Sequence, residues 1–374
     1  MRNIMMIIIS MMMVCFTSAD MKTDNWINVK DYGAKGDGKA DDWAAIQRCI
    51  NTINTYEQSG IYLPPGDYRC SKPLVLWTGV SLKGQRFFTR ILSEATVGIA
   101  FWSREGAVAS EPTSGMKLPS FDKRSYPDPE TGNTPTWHIK RREGKAQRPD
   151  WQCAGVTLDG IRIEPVAGLM MFAVHTMGLS TWGVTIKNCI FHGKKAGLVV
   201  TGNWIGCTIR DTAFHPGLWF LANRKDGAVI NTSIVERVQV GLEHGTGSDY
   251  AVKLCGSVQM FDMRYVTFQG RRRGVLVDLV PNSVCVSIDG VYGADMVDLD
   301  GENPVGYPGN FKYGPIIDVK NAGPGLIVRN VMACPAMPIM ISKDAGPVLL
   351  ENCFSRVFTE NENVSVWNSK ISKE

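Results

Sequence analysis

The sequence is poor in the features that mark several large classes of protein. Its 374 residues carry a net charge of only +4, too small to indicate a nucleic-acid partner. It has no Cys/His spacing for zinc, no phosphate-cradling glycine loop and no Gly-x-Ser-x-Gly elbow. Beyond the N-terminus, no segment is apolar over the roughly 20 residues that a membrane helix needs. The common zinc, nucleotide-binding and serine-hydrolase motifs are therefore excluded.

The first residues are typical of an export signal. Arg2 gives a positive start, an apolar run follows from Ile4 to Phe16, and small residues precede Asp20. The run is too short to span a bilayer. We therefore expect a cleaved signal peptide over residues 1–19 and a secreted or periplasmic chain with no membrane association. An uncleaved anchor is the alternative.

Glycine is the residue in excess, with 38 in the chain. From residue 155 onward a short pattern recurs, in which apolar residues alternate with polar ones around an Asn or Asp. The alternation predicts strands, and the Gly and Asn positions predict tight turns. Close copies are about twenty to thirty residues apart, which predicts a solenoid with three short strands in each coil. The copies are 155–163, 183–191, 206–214, 283–292, 325–333, 347–354 and 363–369.

One polar residue in each copy falls at the predicted bend between two strands. Stacked side chains there can bond turn backbone that would otherwise lack partners. We expect a structural ladder, and catalytic carboxylates are the alternative. The residues are Asp159, Asn188, Asp211, Asp289, Asn330 and Asn352.

A capping helix is predicted near the start of the mature chain. In INVKDYGAKGDGKADDWAAIQRCIN, Asp41 or Asp42 is the N-cap, and Trp43, Ile46 and Ile50 follow at helical spacing. The strand GIYLPPGDYRC comes next. These stretches closely resemble the N-terminal signature of the pectate lyase superfamily. The resemblance implies an all-β fold, a right-handed parallel β-helix (solenoid) whose open end is closed by an N-terminal capping helix.

The chain then divides into a signal peptide (1–19), an N-terminal cap and first coil (20–70), and the β-helix itself (71–374). Two stretches, at about 104–151 and 293–314, interrupt the repeats. The first is longer than a structureless loop in a compact domain should be, so we expect it to be functional or locally folded.

Ten cysteines are present, and removal of Cys15 with the signal leaves an odd number, so at least one thiol is unpaired within the chain. Cys49 and Cys70 flank the start of the solenoid and are the candidate disulfide. Four others stand at strand positions, where we expect them to be buried as small hydrophobic residues. They are Cys189, Cys207, Cys285 and Cys353.

Basic residues recur at one turn of the predicted coils. Because equivalent turns lie above one another, segments 192–197, 215–217, 242–245 and 270–274 form one cationic column. Such a stripe suits a long anionic polymer, so the predicted partner is an acidic polysaccharide. Solvated turn residues are the alternative. The predicted substrate-binding residues are Lys194, Lys195, His215, Arg271, Arg272 and Arg273, with His192 and His244 in the same column.

Tryptophans could offer flat faces to sugar rings beside this column. They are Trp102, Trp137, Trp151, Trp204 and Trp219.

Candidate catalytic residues are concentrated in segment 241–254. β-Elimination of an acidic polysaccharide needs a base for the C5 proton and a cation for the resulting enolate. His244 or Tyr250 could be that base, with Arg272 or a metal as the cation. Hydrolysis instead needs two carboxylates, for which Glu243 and Asp249 are the candidates.

The resemblance carries over a fold but no catalytic set. The Arg-x-Pro-x-x-Arg setting of pectate lyases is missing, and the nearest match to the Gly-His-Gly of polygalacturonases is Glu243-His244-Gly245. Calcium is the one cofactor that the sequence suggests, through hard oxygen ligands in one acidic loop. A solvated loop is the alternative. The loop contains Asp298, Asp300, Glu302 and Asn303.

Together these observations predict a secreted polysaccharide-active protein acting on an acidic glycan, as a lyase or glycoside hydrolase. A non-catalytic glycan-binding or structural β-helix, on a surface or in a tail-spike-like assembly, is one alternative. A polymer-level uronate epimerase is another.

Overall fold

The computed structural model describes residues 26–53, 60–101, 152–166, 170–177, 180–222, 228–241, 250–269, 273–294, 314–333 and 337–369. Every strand pairing among these residues is parallel, and each strand pairs with its counterparts in the neighbouring coils. The chain is a right-handed parallel β-helix, as predicted. The predicted signal peptide and the 104–151 insertion lie outside the described residues, as does most of 293–314.

Each coil crosses the rod in three main strands, which stack into columns numbered here in chain order. The first column contains Trp26–Asn28, Gly60–Tyr62, Ser81–Lys83, Thr157–Asp159, Thr185–Lys187, Thr208–Arg210, Leu326–Arg329, Val348–Glu351 and Val364–Trp367. The second contains Asp37–Asp41, Gly66–Cys70, Thr89–Ser93, Arg162–Pro165, Ile190–His192 and Ala213–His215. The third contains Leu74–Leu76, Val97–Phe101, Phe172–His175, Ala196–Thr201, Leu218–Leu221, Val275–Leu279, Ile317–Asn321, Ile339–Ile341 and Val357–Thr359.

Three longer strands continue through the bends and belong to more than one column. They are Val229–Val240, Val252–Gln269 and Val284–Ala294, and they pair with one another over most of their length. A short fourth column precedes the first in the middle coils. It contains Gln152–Ala154, Ser180–Trp182 and Trp204–Ile205.

The core is built from the inward side chains of each column. Because side chains alternate across a strand, a one-residue slip would turn the whole inward row to solvent. The apolar alternation seen in the repeats therefore fixes the register. In the first column the inward row, fully buried, is Ile61, Leu82, Leu158, Ile186, Ile209, Val235, Met263, Ile288, Val328 and Leu350.

The bend between the first and second columns carries the predicted polar ladder. Asn188 donates from Nδ2 to Asp159 Oδ1 at 3.0 Å, and Asn330 does the same to Asp289 Oδ1 at 2.7 Å. The backbone turns here through one left-handed residue, a conformation that Asn, Asp and Gly tolerate best. After Asp159 and Asp289 that residue is a glycine, Gly160 or Gly290. In four other coils it is the ladder residue itself, at Asn188, Asp211, Asn330 and Asn352, and in two further coils it is Arg237 or Tyr265.

The capping helix forms over Trp43–Asn51, and Trp43, Ile46 and Ile50 are buried as the spacing predicted. The two candidate cap residues, Asp41 and Asp42, have different hydrogen-bond partners. Asp42 is the N-cap, but its carboxylate accepts from the backbone N–H groups of Lys35 and Gly36. The Asp41 carboxylate accepts from the N–H of Trp43 at 3.1 Å.

The helix also covers the edge of the third column. The first strand there, Leu74–Leu76, pairs on one side with Val97–Phe101. On the other side Gln47 takes the place of a strand. Its Oε1 accepts from the Val75 N–H at 2.9 Å, and its Nε2 donates to the Val75 carbonyl at 3.1 Å. The cap therefore satisfies backbone groups as well as covering apolar surface.

The cysteines follow the predictions only in part. Cys189, Cys207 and Cys353 are buried, and burial raises the pKa of the Cys189 thiol to about 12. The predicted disulfide is wrong, because Cys49 and Cys70 are both buried free thiols.

Cys285 was also predicted to be buried, and this is wrong because its side chain is exposed. It occupies a left-handed bend position, at φ 55°, where the fourth column passes into the first. The alternation that holds along a strand does not extend through such a bend.

Candidate functional site

Acid–base side chains lie in line on the outer face of the second column. His192 pairs in register with His215, and Glu164 holds the corresponding position one coil earlier. The two imidazole rings stack with their centroids 4.5 Å apart and their planes 13° apart. His192 Nε2 lies 4.0 Å from Glu164 Oε1. One carboxylate and two imidazoles therefore follow one another along the rod.

Two arginines form ion pairs with Glu164, the carboxylate at one end of this row. Arg90 donates from Nη1 to Glu164 Oε2 at 3.4 Å and from Nε to Asp67 Oδ1 at 2.6 Å. Arg162 forms an ion pair with the other oxygen of Glu164. The hydrogen bonds to Asp67, above all, raise the pKa of Arg90 above its usual value. We call this group, with residues Asp67, Arg90, Arg162, Glu164, His192 and His215, the charged face.

Gly241 continues the row beyond His215. A Cβ atom at this position would lie 2.6 Å from Cε1 of His215, so a side chain here would displace the ring. A glycine therefore occupies the next position of the imidazole row, and His244 lies outside the described residues.

The turn 192–197 stacks on the turn 215–217 as the repeat alignment predicted, and the predicted turns at 242–245 and 270–272 lie outside the described residues. Gly193 N donates to His215 O at 2.6 Å, and Ala251 N donates to Arg273 O at 3.2 Å. Lys194 is exposed in this row, and Lys195 and Arg273 are partly exposed. Of the remaining predicted site residues, Glu243, His244, Asp249, Arg271 and Arg272 lie outside the described part of the chain.

Tyr250 belongs to a second group, on the outer face of the third column. Its hydroxyl donates to Oδ2 of Asp318, a fully buried residue, and Lys320 Nζ lies 3.1 Å from Oδ1 of the same carboxylate. The Arg273 guanidinium lies 5.4 Å from the centre of the Tyr250 ring. A buried carboxylate needs such partners to remain charged. Tyr250, Arg273, Asp318 and Lys320 therefore form one polar cluster, in which Tyr250 and Asp318 are buried.

Two of the tryptophans predicted to stack on sugar rings, Trp204 and Trp219, do not offer their faces to solvent. Trp204 is fully buried in the core. Trp219 is 2% exposed, and Lys253 Nζ lies 4.5 Å from its ring centre. That prediction is wrong for both residues because each ring is already packed. Trp102, Trp137 and Trp151 lie outside the described residues.

Several members of these groups were missed at the level of sequence. The position of Glu164 could have been predicted from the spacing of the repeats. Glu164, His192 and His215 each stand four positions after the left-handed residue of their coil, which is Gly160, Asn188 or Asp211. The missed residues are Asp67, Arg90, Arg162, Glu164, Asp318 and Lys320.

Within the described segments, no three His, Cys, Asp or Glu side chains come close enough together to hold a metal ion. The candidate calcium loop, 298–303, lies outside them. No helix in the described part of the chain is both long and apolar enough to cross a membrane.

Solved structures share the architecture. A tailspike protein of E. coli bacteriophage HK620, in complex with a pentasaccharide, matches at a TM-score of 0.55 and 10% identity, over 94% of this chain and 67% of its own. PfbA, a surface adhesin of Streptococcus pneumoniae, matches at 0.52 and 14% identity, over 92% and 83%. At these identities the likeness shows the fold alone.

Sequence comparisons concentrate on short segments. Residues 26–117 match the family described as Rhamnogalacturonase A/epimerase, pectate lyase-like. Alginate lyase 7 of Azotobacter vinelandii is 54% identical over 44 residues, which is 12% of this chain and 5% of that protein. A probable glucan endo-1,3-beta-glucosidase of Arthroderma benhamiae is 38% identical over 77 residues, or 18% and 8%. The family match over residues 26–117 and the architecture shared with the solved structures both indicate a pectate-lyase-like parallel β-helix.

Proposed function

We propose that this protein is an exported polysaccharide-active protein that cleaves an acidic glycan at the charged face. The observation that carries the proposal is the line of Glu164, His192 and His215, bordered by the exposed turn lysines. The sequence relatives include an alginate lyase and mannuronan C5-epimerases of Azotobacter vinelandii, and the short length of those matches makes the substrate class part of the proposal.

The chemistry that fits this line best is β-elimination. His215 takes the proton from C5 of a uronate, the electrons of the C–H bond form the C4–C5 double bond, and the C4–O bond breaks. The leaving oxygen takes a proton from water. Lys194 and Lys195 neutralise the uronate carboxylate, which makes the C5 proton easier to remove. Glu164, acting through His192, stabilises the imidazolium charge that forms on His215.

Tyr250 has a different place in this proposal. Its hydroxyl already donates to the Asp318 carboxylate, and both side chains are buried. We therefore assign it a supporting role and give His215 the role of base. Hydrolysis by Glu243 and Asp249 stays the alternative chemistry at the same row of turns.

The first test compares His215→Ala and Glu164→Gln with the unchanged protein on a panel of acidic and neutral polysaccharides, with and without calcium. Removal of a general base costs about 10²–10⁴ in rate, so His215→Ala should lower turnover at least a hundredfold. Absorbance of the unsaturated uronate and reducing ends report the product.

The matched control is Glu351→Gln, which removes another partly buried carboxylate facing an arginine, on the first column. It should leave turnover unchanged. Full activity of both test variants would refute the assignment. Reducing ends without the unsaturated product would indicate hydrolysis and make Glu243 and Asp249 the next variants. Altered uronate composition at constant chain length would identify an epimerase.

A non-catalytic glycan-binding protein is the second candidate. Burial of Tyr250 and Asp318 favours it, since neither side chain is open to a substrate in this structure. One solved structure with this fold is a surface adhesin, and another is a tailspike protein in complex with a pentasaccharide. Binding without any product across the panel would support this candidate.

A further inference from the structure

Three large apolar side chains are exposed at the same place, two residues after the ladder bend, in three successive coils. Their exposure ranges from 48% for Tyr292 to 66% for Phe354. Isolated exposed apolar residues are ordinary on a protein surface, but a row at a constant place in consecutive repeats is not. We call Tyr292, Met332 and Phe354 the aromatic stripe.

Backbone pairing keeps the stripe in register. Tyr292 pairs with Met332, and Phe354 N donates to the carbonyl of Val331 at 2.9 Å. These three side chains therefore stand above one another at intervals of about 4.8 Å, the spacing of neighbouring strands. Tyr265 lies opposite Gly290 at the bend itself, where a Cβ atom at Gly290 would lie 3.0 Å from its Cδ1, so this ring borders the stripe without belonging to it.

Amide side chains border the stripe. Asn352 Nδ2 donates to Asn330 Oδ1 at 3.4 Å, and Asn368 Nδ2 donates to Asn352 Oδ1 at 2.7 Å. An amide has two N–H donors and an oxygen with two lone pairs, so each ladder bond uses only part of its capacity. Asn330 and Asn368 are exposed, and their remaining donors and acceptors are available beside the rings.

We propose that the aromatic stripe is a glycan-binding platform for uncharged pyranose rings. A sugar ring has an apolar C–H face and a hydroxyl edge, which match an aromatic face and a neighbouring amide. The stripe lies further along the second-column face that carries the charged face, and Gln239 and Gln269 lie on that face in the coils between. The inference goes beyond the proposed function, because this platform requires no acidic group on the sugar.

A second copy of the chain is a poorer fit to this surface. Specific protein interfaces bury at least about 1,000 Å², and their centres are depleted of charged residues. The stripe is one side chain wide. Asp289, Arg329 and Glu351 line its border on the first column, with Arg329 Nε 4.0 Å from Glu351 Oε2.

The test replaces three stripe side chains at once, in Tyr292→Ser/Met332→Ser/Phe354→Ser. The control, Trp182→Ser/Met260→Ser, removes exposed apolar side chains from another side of the rod. Binding of uncharged glucan, mannan and galactan hexasaccharides is measured by calorimetry at about 1 M salt, where the Debye length is about 3 Å. We expect the stripe variant to bind at least tenfold more weakly, about 1.4 kcal/mol, and the control to bind as the unchanged protein does.

The outcomes separate this inference from the proposed function. Glu164→Gln should leave binding of uncharged hexasaccharides unchanged even if it abolishes turnover. The platform is refuted if the unchanged protein binds none of the three hexasaccharides, or if the stripe variant binds them equally well. Self-association that sedimentation detects in the unchanged protein and not in the stripe variant would also overturn it, by assigning the surface to a second copy.

Discussion

At the scale of single residues, substitution by alanine at the left-handed bends should cost more stability than substitution by glycine, the reverse of the usual order. Asn188 has φ 55° and donates to Asp159. Asn188→Ala loses the hydrogen bond and keeps a strained backbone, so the free energy of unfolding should fall by about 2 kcal/mol. Asn188→Gly loses only the hydrogen bond, so the fall should be about 1 kcal/mol. Urea denaturation measures both, and greater stability of the alanine variant would contradict the argument.

The same residues show what a single sequence can and cannot reveal. The polar bend residues were predictable because Asn and Asp punctuate an apolar alternation. The partners of Glu164 could not be predicted, because Arg90 lies 74 residues earlier in the chain. The number of coils between them cannot be counted across a long irregular insertion. Tyr250 and Asp318, 68 residues apart, were missed as a pair for the same reason.

At the scale of elements, the cap depends on one buried amide. Gln47 is 1% exposed and bonds both the N–H and the carbonyl of Val75. Gln47→Met keeps the size of the side chain but leaves a buried donor and acceptor without partners, so we expect a loss of about 2–4 kcal/mol. Gln47→Glu keeps the acceptor and should lose less near neutral pH only if the buried charge is tolerated.

Thermal unfolding followed by circular dichroism tests this role. The control is Gln85→Met, on an exposed amide whose Nε2 donates to the hydroxyl of Tyr62 at 2.9 Å. It should change stability by less than about 1 kcal/mol. Equal effects of the methionine substitutions at Gln47 and Gln85 would show that the strand-like hydrogen bonds do not stabilise the cap.

The elements themselves were largely predictable. The inward rows follow directly from the alternation of the repeats, and the helix follows from Trp43, Ile46 and Ile50. The functional residues of the outward rows were harder to predict. A polar residue that faces solvent fits the alternation equally well whether it belongs to a site or to an ordinary solvated surface. Cys285 shows the same limit at a bend, where the chain turns its side chain outward.

At the scale of the whole molecule, each coil contacts mainly its neighbours, so a complete coil should be removable. Thr181 pairs with Trp204 and Thr185 with Thr208, each 23 residues apart. Deleting residues 184–206 joins Gly183 to Cys207 and stacks the next coil on the previous one. We expect a folded rod with an unchanged β-sheet signal per residue and a lower melting temperature.

A deletion one residue shorter is the control. It inserts an extra residue into one coil and displaces the inward and outward rows locally, so it should be the less stable of the two deletions. Equal stability would mean that stacking in register contributes little to the fold. Activity is not the readout here, because the deleted coil contains His192.

The second-column face carries different side chains at its two ends. The charged face lies on the earlier coils, and the aromatic stripe lies on the later ones. A linear glycan also has unlike ends, one reducing and one non-reducing. A uniform groove would accept such a chain in either direction with similar free energy. A face with charged side chains at one end and apolar side chains at the other gives the two orientations of a bound glycan different binding free energies. A bound glycan would therefore have a preferred orientation along the rod.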